Sequence, residues 1–207
     1  MTKFNPDIQH RRYVRLKGFD YSKAGAYFVT VCAWQRGCLF GEIVDGKMRL
    51  NEYGRIVENE WLKTPEVRNN IELDYYIVMP NHFHGILVLN DNVGATRWVA
   101  QDKTMHERMI HTIYERAIHR IAPTKTLQSN TIGSILGQFK SIVTKQINKI
   151  RDNPGCPVWQ RNFYEHVVRN DDELNRARQY VMDNPLKWEL DEENPVNAKK
   201  PLQKDLK

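Results

Sequence analysis

The sequence is most informative at Met79-Pro80-Asn81-His82-Phe83-His84-Gly85, which runs directly into the apolar residues Ile86-Leu87-Val88-Leu89. Side chains alternate between the two faces of a strand, so His82 and His84 would share one face, and Phe83 would enter a core on the other. The Cα atoms of the two histidines would lie roughly 7 Å apart, at a rise of about 3.3 Å per residue. Two imidazoles on one rigid strand predict half of a divalent-metal site.

The sequence around this strand predicts further strands and helices. Strands are expected at 26–32 and 73–78, a hairpin at 39–50, helices at 52–62, from 129–131 to about 150 and at 172–183, and an extended segment at 158–168. Asn51 and Asn170-Asp171 stand where helix caps are expected, and Ser129-Asn130-Thr131 stands where the long helix is expected to start. Since no long parallel-strand units appear, we predict an α+β fold, with a central antiparallel sheet and helices packed on one side of it.

The length of 207 residues suits one domain. We expect it to span 10–190, with an insertion at 91–128 and a charged, flexible tail at 191–207. The chain has no apolar run long enough for a membrane span and no apolar signal region near Met1. Its three cysteines form no CxxC pair, which predicts reduced thiols and a cytoplasmic protein.

Basic residues cluster in two parts of the chain, whose formal net charge is +6. No acidic residue occurs between Lys125 and Arg151, and the first basic cluster follows Asp7. Such clusters predict contacts with the phosphates of a nucleic acid. The candidates are Arg11, Arg12, Arg15 and Lys17 near the start, and Lys140, Lys145 and Lys149 on one helix, although these lysines could also be only its solvated face.

The last predicted helix supplies the groups that could complete the site. Tyr180 and Asn184 stand at i and i+4, so they would lie on one helix face roughly 6 Å apart. A deprotonated phenol is a nucleophile, and an amide oxygen is a hard ligand suited to Mg²⁺ or Mn²⁺. Tyr164 is the rival nucleophile, but its i+4 residue is Val168, which cannot bind a metal.

With these residues in place, the chain resembles the single-tyrosine HUH transposases, named after a His-hydrophobe-His motif, and above all their REP-associated branch. His82-Phe83-His84 matches the motif, Tyr180 matches the nucleophile, and Asn184 stands at the position of the third metal ligand, which is often Gln. Segments 15–18, 137–141, 159–166 and 184–188 also match this branch. Residues 98–122 match no pattern of it.

The resemblance implies a ferredoxin-like (RRM-like) HUH fold and an enzyme of the bacterial cytoplasm. The enzyme would cleave and rejoin single-stranded DNA near hairpin, REP-like sequences, as a monomer or a homodimer. Tyr180 would form a 5′-phosphotyrosine, while His82, His84 and Asn184 would hold Mg²⁺ or Mn²⁺. Glu165 and His166 also match the branch, either as groups that orient the histidines or as polar residues of an edge strand.

Three alternatives remain open from the sequence. A relaxase or replication initiator would often use two tyrosines or a third histidine ligand. A domesticated, catalytically idle protein would keep the nucleic-acid binding without the chemistry. A metal phosphodiesterase would use activated water, so it would keep much of its activity after Tyr180→Phe.

Overall fold

The computed structural model describes residues 19–90, 131–191 and 193–197 and confirms an α+β fold. Arg11, Arg12, Arg15, Lys17 and the insertion expected at 91–128 lie outside the described residues. The strands are β1 (Gly25–Cys32), β2 (Gly41–Val44), β3 (Lys47–Leu50), β4 (Ile71–Val78), β5 (His82–Leu89) and β6 (Tyr164–Val168). The helices are α1 (Glu52–Leu62), α2 (Thr64–Val67), α3 (Ile132–Ile150) and α4 (Asp171–Asp183), with short 3₁₀ turns at Trp34–Arg36 and Trp188–Leu190.

Four of the strands form one antiparallel sheet in the order β4-β5-β1-β6. Strands β2 and β3 form a separate hairpin. Counted along the chain, the first and third strands of this sheet, β1 and β5, are central. The second and fourth, β4 and β6, are at its edges, which is the order of a ferredoxin-like sheet. The predicted fold class is therefore confirmed. Every residue of β5 is buried, so the strand that carries the two histidines lies at the centre of the molecule.

Helices cover both faces of the sheet. On one face, Tyr27, Val29 and Phe83 pack with Trp61 of α1 and with the apolar side of α3. On the other face, Ile86 and Val88 pack against Leu174 of α4. The prediction that the helices lie on one side is wrong for α4, because its own apolar stripe is drawn to the face of the sheet that carries the histidines.

Three helices have side-chain caps that lie within the segments where the sequence predicts the helices to start. Asn51, Thr131 and Asn170 each accept a hydrogen bond from the backbone N–H three residues later. These bonds satisfy amides that the first turn of a helix leaves unpaired. The Asn170 cap fixes the start of α4 and thereby the position of Tyr180. No helix in the described ranges has the length and apolar character needed to cross a bilayer.

The segment expected to be extended over 158–168 forms a strand only at Tyr164–Val168. Upstream of it, Trp159 forms a single β-bridge with Ala33. The Lys140 ammonium donates to the carbonyl oxygens of residues 160, 161 and 162, at 2.7, 3.1 and 3.4 Å. Because these carbonyls point at Lys140 of α3, they do not extend the ladder between β1 and β6.

Candidate functional site

Strand β5 brings the two histidines side by side, as its alternation predicts. The ring centroids of His82 and His84 are 4.5 Å apart. The side chains are 0% and 3% exposed, which is rare for a titratable group. Phe83 points to the opposite face, where its ring lies 4.7 Å from that of Trp61. A packed aromatic core thus fixes the strand from behind while both imidazoles face α4.

Asn81 determines which nitrogen of His82 is available. Its Nδ2 donates to the carbonyl oxygens of Arg36 and Glu193, at 3.0 and 2.6 Å, so its Oδ1 must accept at the other end of the amide. That oxygen lies 2.8 Å from Nδ1 of His82, which therefore carries the proton. The lone pair of His82 Nε2 is left to face the site.

Thr30 of β1 holds the second imidazole. Thr30 and His84 are partners in the ladder between β1 and β5, and the Thr30 hydroxyl lies 2.8 Å from Nδ1 of His84. The Phe28 ring stacks on His84 with centroids 5.4 Å apart. A metal-binding histidine commonly donates its other N–H to a fixed partner in this way, which orients the ring.

Helix α4 places Tyr180 and Asn184 against the histidines. The Tyr180 ring lies 5.1 Å from His84 and 5.8 Å from Phe28, by centroids. Asn184 is only 3% exposed, yet its Oδ1 has no hydrogen-bond partner. The Asn184 amide is nevertheless close enough to raise the pKa of His82 and to lower that of Tyr180.

Three buried polar atoms at this site have no hydrogen-bond partner among the described residues: His82 Nε2, His84 Nε2 and Asn184 Oδ1. Leaving a buried polar atom unpaired costs about 1–3 kcal/mol, so three such atoms together make this a candidate ligand-binding site. These atoms are the donors that the sequence assigns to a metal. No cluster of three His, Cys, Asp or Glu side chains suited to a metal occurs in the described ranges, so the candidate set is two imidazoles and one amide.

Burial lowers the pKa of both imidazoles. Desolvation is the main cause for each, and for His84 the neighbouring His82 lowers the pKa further. For His82, the carboxylate of Asp191 and the Asn184 amide partly oppose the effect. Both rings are therefore neutral at pH 7, which is the form that binds a metal ion.

Two half-exposed tyrosines flank the Phe28 ring. Tyr180 is 47% exposed and Tyr164 is 45% exposed. The Tyr164 ring lies 6.5 Å from Phe28, whereas Tyr180 also contacts His84. Burial, and then the carboxylate of Asp191, raise the pKa of Tyr180, so its hydroxyl is protonated at neutral pH in the form described. Of the two phenols, Tyr180 has the closer relation to the candidate metal ligands.

Glu165 and His166 do not hold the imidazoles. Glu165 pairs with Val29 in the ladder between β1 and β6, so its side chain shares the face of the sheet opposite His82 and His84. His166 is on the same face as the site, but its Nε2 lies 3.4 Å from the Glu173 carboxylate. Asn81 and Thr30 hold the histidines instead.

A groove of about 860 Å³ lies between α3 and the loop before β6. Lys145, Lys149 and Arg161 are exposed along it, with Asp152 as the one acidic residue of its lining. Lys140 also lines it, but its ammonium is bound to the three loop carbonyls. Of the three lysines predicted to contact DNA, the structure therefore leaves Lys145 and Lys149 for that role, and Lys140 stabilises the wall of the groove.

The residues after α4 pack beside the histidines. The Trp188 ring lies 6.1 Å from that of His82, and Arg36 forms an ion pair of 3.0 Å with Glu193. Asn194 is 8% exposed and donates to the Trp188 carbonyl. The sequence assigns 191–207 to a flexible tail; Asp191 and residues 193–197 make these ordered contacts, and the remaining residues lie outside the described part.

Three residues of the site, Asn81, Thr30 and Phe28, are not predicted by the sequence patterns. Asn81 stands in the quoted motif, directly before His82, and this adjacency was the available signal. Thr30 and Phe28 lie more than fifty residues before His84, and only the register between β1 and β5 brings them to it.

Known proteins resemble this chain along most of its length. No family model matches it. An uncharacterised protein of Haemophilus influenzae is 35% identical over 192 residues, which cover 92% of this chain and 97% of that protein. A second Haemophilus influenzae protein, named "Putative REP-associated tyrosine transposase", is 26% identical over 170 residues, or 81% of this chain and 74% of that protein.

A solved structure, of a REP-associated tyrosine transposase bound to a REP hairpin, aligns with a TM-score of 0.48 at 19% identity, covering 86% of this chain and 73% of that one. In sequence, this chain is therefore similar over most of its length to a protein named as a REP-associated tyrosine transposase and to an uncharacterised protein.

Proposed function

We propose that this protein is a metal-dependent transposase that cleaves and rejoins single-stranded DNA near hairpins through a phosphotyrosine at Tyr180. The observation that carries the proposal is the set of three unpaired buried atoms, on His82, His84 and Asn184, beside a half-exposed tyrosine. Buried atoms without partners cost stability, and a bound divalent cation would supply the partner that all three lack.

His82, His84 and Asn184 would hold Mg²⁺ or Mn²⁺, which when bound supplies a Lewis acid for a phosphate oxygen. Asn81 and Thr30 keep both imidazoles oriented with Nε2 toward the site. The phenol of Tyr180 stands over His84 at the solvent-exposed edge of the site, where a DNA strand can reach it.

Tyr180 would form the new bond in the cleavage step. Its phenolic oxygen loses a proton and bonds to the phosphorus, while the bond from phosphorus to the 3′ oxygen breaks and that oxygen gains a proton. The products are a 5′-phosphotyrosine and a free 3′ hydroxyl. Because the phosphodiester energy is kept in the tyrosine ester, attack by a 3′ hydroxyl rejoins DNA without a nucleotide cofactor.

The substrate class is supported by charge. Lys145, Lys149 and Arg161 are exposed along the groove, and the chain carries a formal net charge of +6. Groups of cations along a groove attract the phosphate backbone. Arg11, Arg12, Arg15 and Lys17, outside the described residues, stay predicted DNA contacts, and the oligomeric state stays a proposal between monomer and homodimer.

Formation of a covalent adduct tests the proposed reaction. The full chain is incubated with a labelled DNA hairpin that has unpaired flanks, in the presence of Mg²⁺ or Mn²⁺, and separated under denaturing conditions. We expect an adduct with the native chain and none with Tyr180→Phe or His82→Ala. Tyr164→Phe is the matched control, because Tyr164 is equally exposed and also contacts Phe28, and it should keep the adduct.

The opposite outcomes distinguish the alternatives. Cleavage by Tyr180→Phe at the native rate would contradict a tyrosine nucleophile and favour activated water. DNA binding without any adduct would favour an idle binding protein. If the adduct is lost in Tyr164→Phe and kept in Tyr180→Phe, Tyr164 would be the nucleophile in place of Tyr180.

Metal binding is tested separately by calorimetry with Mn²⁺ in the absence of DNA. Asn184→Ala should weaken the Mn²⁺ affinity by at least about 10- to 100-fold, because that loss already follows when a residue hydrogen-bonded to a metal ligand is removed. Asn175→Ala, an exposed substitution on the same helix, is the control and should leave the affinity unchanged. Equal affinities in both variants would remove Asn184 from the ligand set.

A further inference from the structure

Trp34 differs from the other tryptophans that the structure describes. It is 47% exposed, while Trp61, Trp159 and Trp188 are 0%, 6% and 9% exposed. Single exposed apolar residues are common on protein surfaces, so this exposure alone assigns no role.

The turn after Trp34 has an uncommon backbone that several bonds hold in place. Gln35 and Arg36 both adopt positive φ, 54° and 55°, although neither is glycine. Consecutive residues in this conformation persist only where their surroundings fix them, and such positions concentrate at functional sites. The Trp34 N–H donates to Val158 O at 2.8 Å, and the Asn81 amide donates to Arg36 O at 3.0 Å. These hydrogen bonds fix the backbone that carries Trp34.

The turn also shares its anchor with the candidate metal centre. The Asn81 side chain that binds Arg36 O also contacts Nδ1 of His82. Cys32 is the ladder partner of His82, and Ala33 is extended, with φ −62° and ψ 156°. Alternation along an extended chain then places Trp34 on the face of Cys32 and His82, about 7 Å further along.

The basic groove reaches the same turn. Val158, whose carbonyl accepts from Trp34, lines the groove together with Arg161, Lys145 and Lys149. The turn that carries Trp34 is therefore hydrogen-bonded both to a residue of the groove lining and to Asn81, which contacts His82. The indole face is an exposed aromatic surface beside the groove and close in the sequence to Cys32, the ladder partner of His82.

We propose that Trp34 is a stacking platform for an unpaired base of the DNA strand that passes from the basic groove to the histidines. The inference rests on the proposed function for its substrate, single-stranded DNA. Aromatic side chains bind single strands by stacking on successive bases, and the contact tolerates any sequence because every base has a π-face. Trp34 is thus a positioning residue, which holds a nucleotide near the scissile phosphate.

Binding to two matched polymers isolates the base contact. The probes are oligothymidylate and an abasic deoxyribose-phosphate strand of equal length, and affinity is measured by fluorescence anisotropy without metal. The parent protein is the full chain with Tyr180→Phe, so that cleavage does not interfere. We expect the parent to bind oligothymidylate more tightly than the abasic strand.

Trp34→Ala should weaken oligothymidylate binding by about 5- to 100-fold and leave abasic binding unchanged, because only the first probe has bases to stack. Trp34→Phe keeps an aromatic face and should retain most of the affinity. The control is Val67→Ala, which changes a partly exposed apolar residue on α2, next to the edge strand β4. This variant should change neither affinity. Thermal unfolding of each variant confirms that the fold is kept.

Three results would overturn the proposal: equal binding of both polymers by the parent, equal losses on both polymers in Trp34→Ala, or no loss at all. The proposed function fails independently of these results. A native chain that forms no adduct, while Trp34→Ala loses base-dependent binding, would contradict the catalytic proposal and support the stacking platform. If the native chain forms the adduct and Trp34→Ala keeps its base-dependent binding, the result would support the catalytic proposal and contradict the stacking platform.

Discussion

Thr30 shows how much of the site depends on single side chains that carry no chemistry of their own. Its hydroxyl contacts Nδ1 of His84, and Asn81 does the same for His82. Neither residue binds a metal in our proposal. Each one fixes a ring so that the lone pair of Nε2 faces α4.

Removal of the Thr30 hydroxyl should therefore weaken metal binding without touching a ligand. In Thr30→Val, we expect Mn²⁺ affinity to fall on the order of 10- to 100-fold, measured by calorimetry. The free energy of unfolding should fall by about 1–3 kcal/mol, because Nδ1 of buried His84 loses its partner. The control is Thr144→Val, whose hydroxyl bonds within α3, and unchanged Mn²⁺ affinity in Thr30→Val would contradict the role of Thr30.

For single residues, the sequence predicts the candidate metal ligands and nucleophile better than the residues that orient them. His82, His84, Tyr180 and Asn184 are named by spacing and by resemblance, and the structure brings them together. The role of Thr30 is not predictable from the sequence, because which side chain lies opposite His84 depends on the register between β1 and β5. The sequence offers Glu165 for the supporting role, but the pairing of β6 with β1 turns its side chain to the other face of the sheet.

Among the elements, β5 is the one on which the site depends most, and Gly85 shows why it tolerates little change. A Cβ at Gly85 would lie 2.6 Å from Cζ2 of Trp61 and 2.9 Å from the Phe83 ring. Both rings are fully buried, so neither can move aside cheaply. The glycine that follows the second histidine is thus required by the core behind the site.

Gly85→Ala should lower the free energy of unfolding by about 1–3 kcal/mol through overpacking. Gly137→Ala offers the matched control in the interior of α3, where a Cβ meets nothing within 4 Å. That variant should gain about 0.5–1 kcal/mol, because alanine loses less backbone entropy than glycine. Urea unfolding compares the two, and a stability change of the same sign in both would contradict the packing argument.

The bounds of the elements follow closely from local signals. Helix α1 covers the predicted residues, and the caps of α3 and α4 lie within the predicted starting segments, since a side-chain cap acts within three residues. The segment 158–168 is harder to predict, because only its last five residues form a strand. Its earlier carbonyls bind Lys140, a contact across twenty residues that no local pattern announces.

For the whole molecule, the basic groove determines how DNA would be held. Lys145 and Lys149 are exposed on α3, one turn apart, and line the groove with Arg161. The net charge of +6 predicts polyanion binding, but it does not say where. The sequence named the three lysines together, and only the structure separates Lys140, whose partners are carbonyls of the chain, from the other two.

Replacing both Lys145 and Lys149 by Gln should weaken binding of a single-stranded oligonucleotide by the Tyr180→Phe chain. The slope of log affinity against log salt should become shallower by about 1.4, since each phosphate contact on a single strand contributes about 0.7. Lys47→Gln, an exposed change on β3, is the control and should leave the slope unchanged. A double variant with the slope of its parent would exclude the groove as the DNA path.

The fold as a whole was predictable to the level of an α+β sheet, because alternation in the strands and the helix caps agree with one another. The placement of α4 on the face opposite α1 and α3 was not, since a helix sequence states which of its sides is apolar and not which face of a sheet it will cover. That placement brings Tyr180 to the histidines, so the candidate site exists only in the folded chain.

The direct test of the central claim is the identity of the residue that carries the DNA. The adduct formed with a labelled hairpin and Mn²⁺ is digested with nuclease and trypsin, and the modified peptide is sequenced by mass spectrometry. Trypsin would place Tyr180 in the peptide 179–187 and Tyr164 in the peptide 162–169. We predict a nucleotide phosphate on Tyr180 in the first peptide; the same modification on Tyr164, or on no tyrosine, would contradict the proposed mechanism.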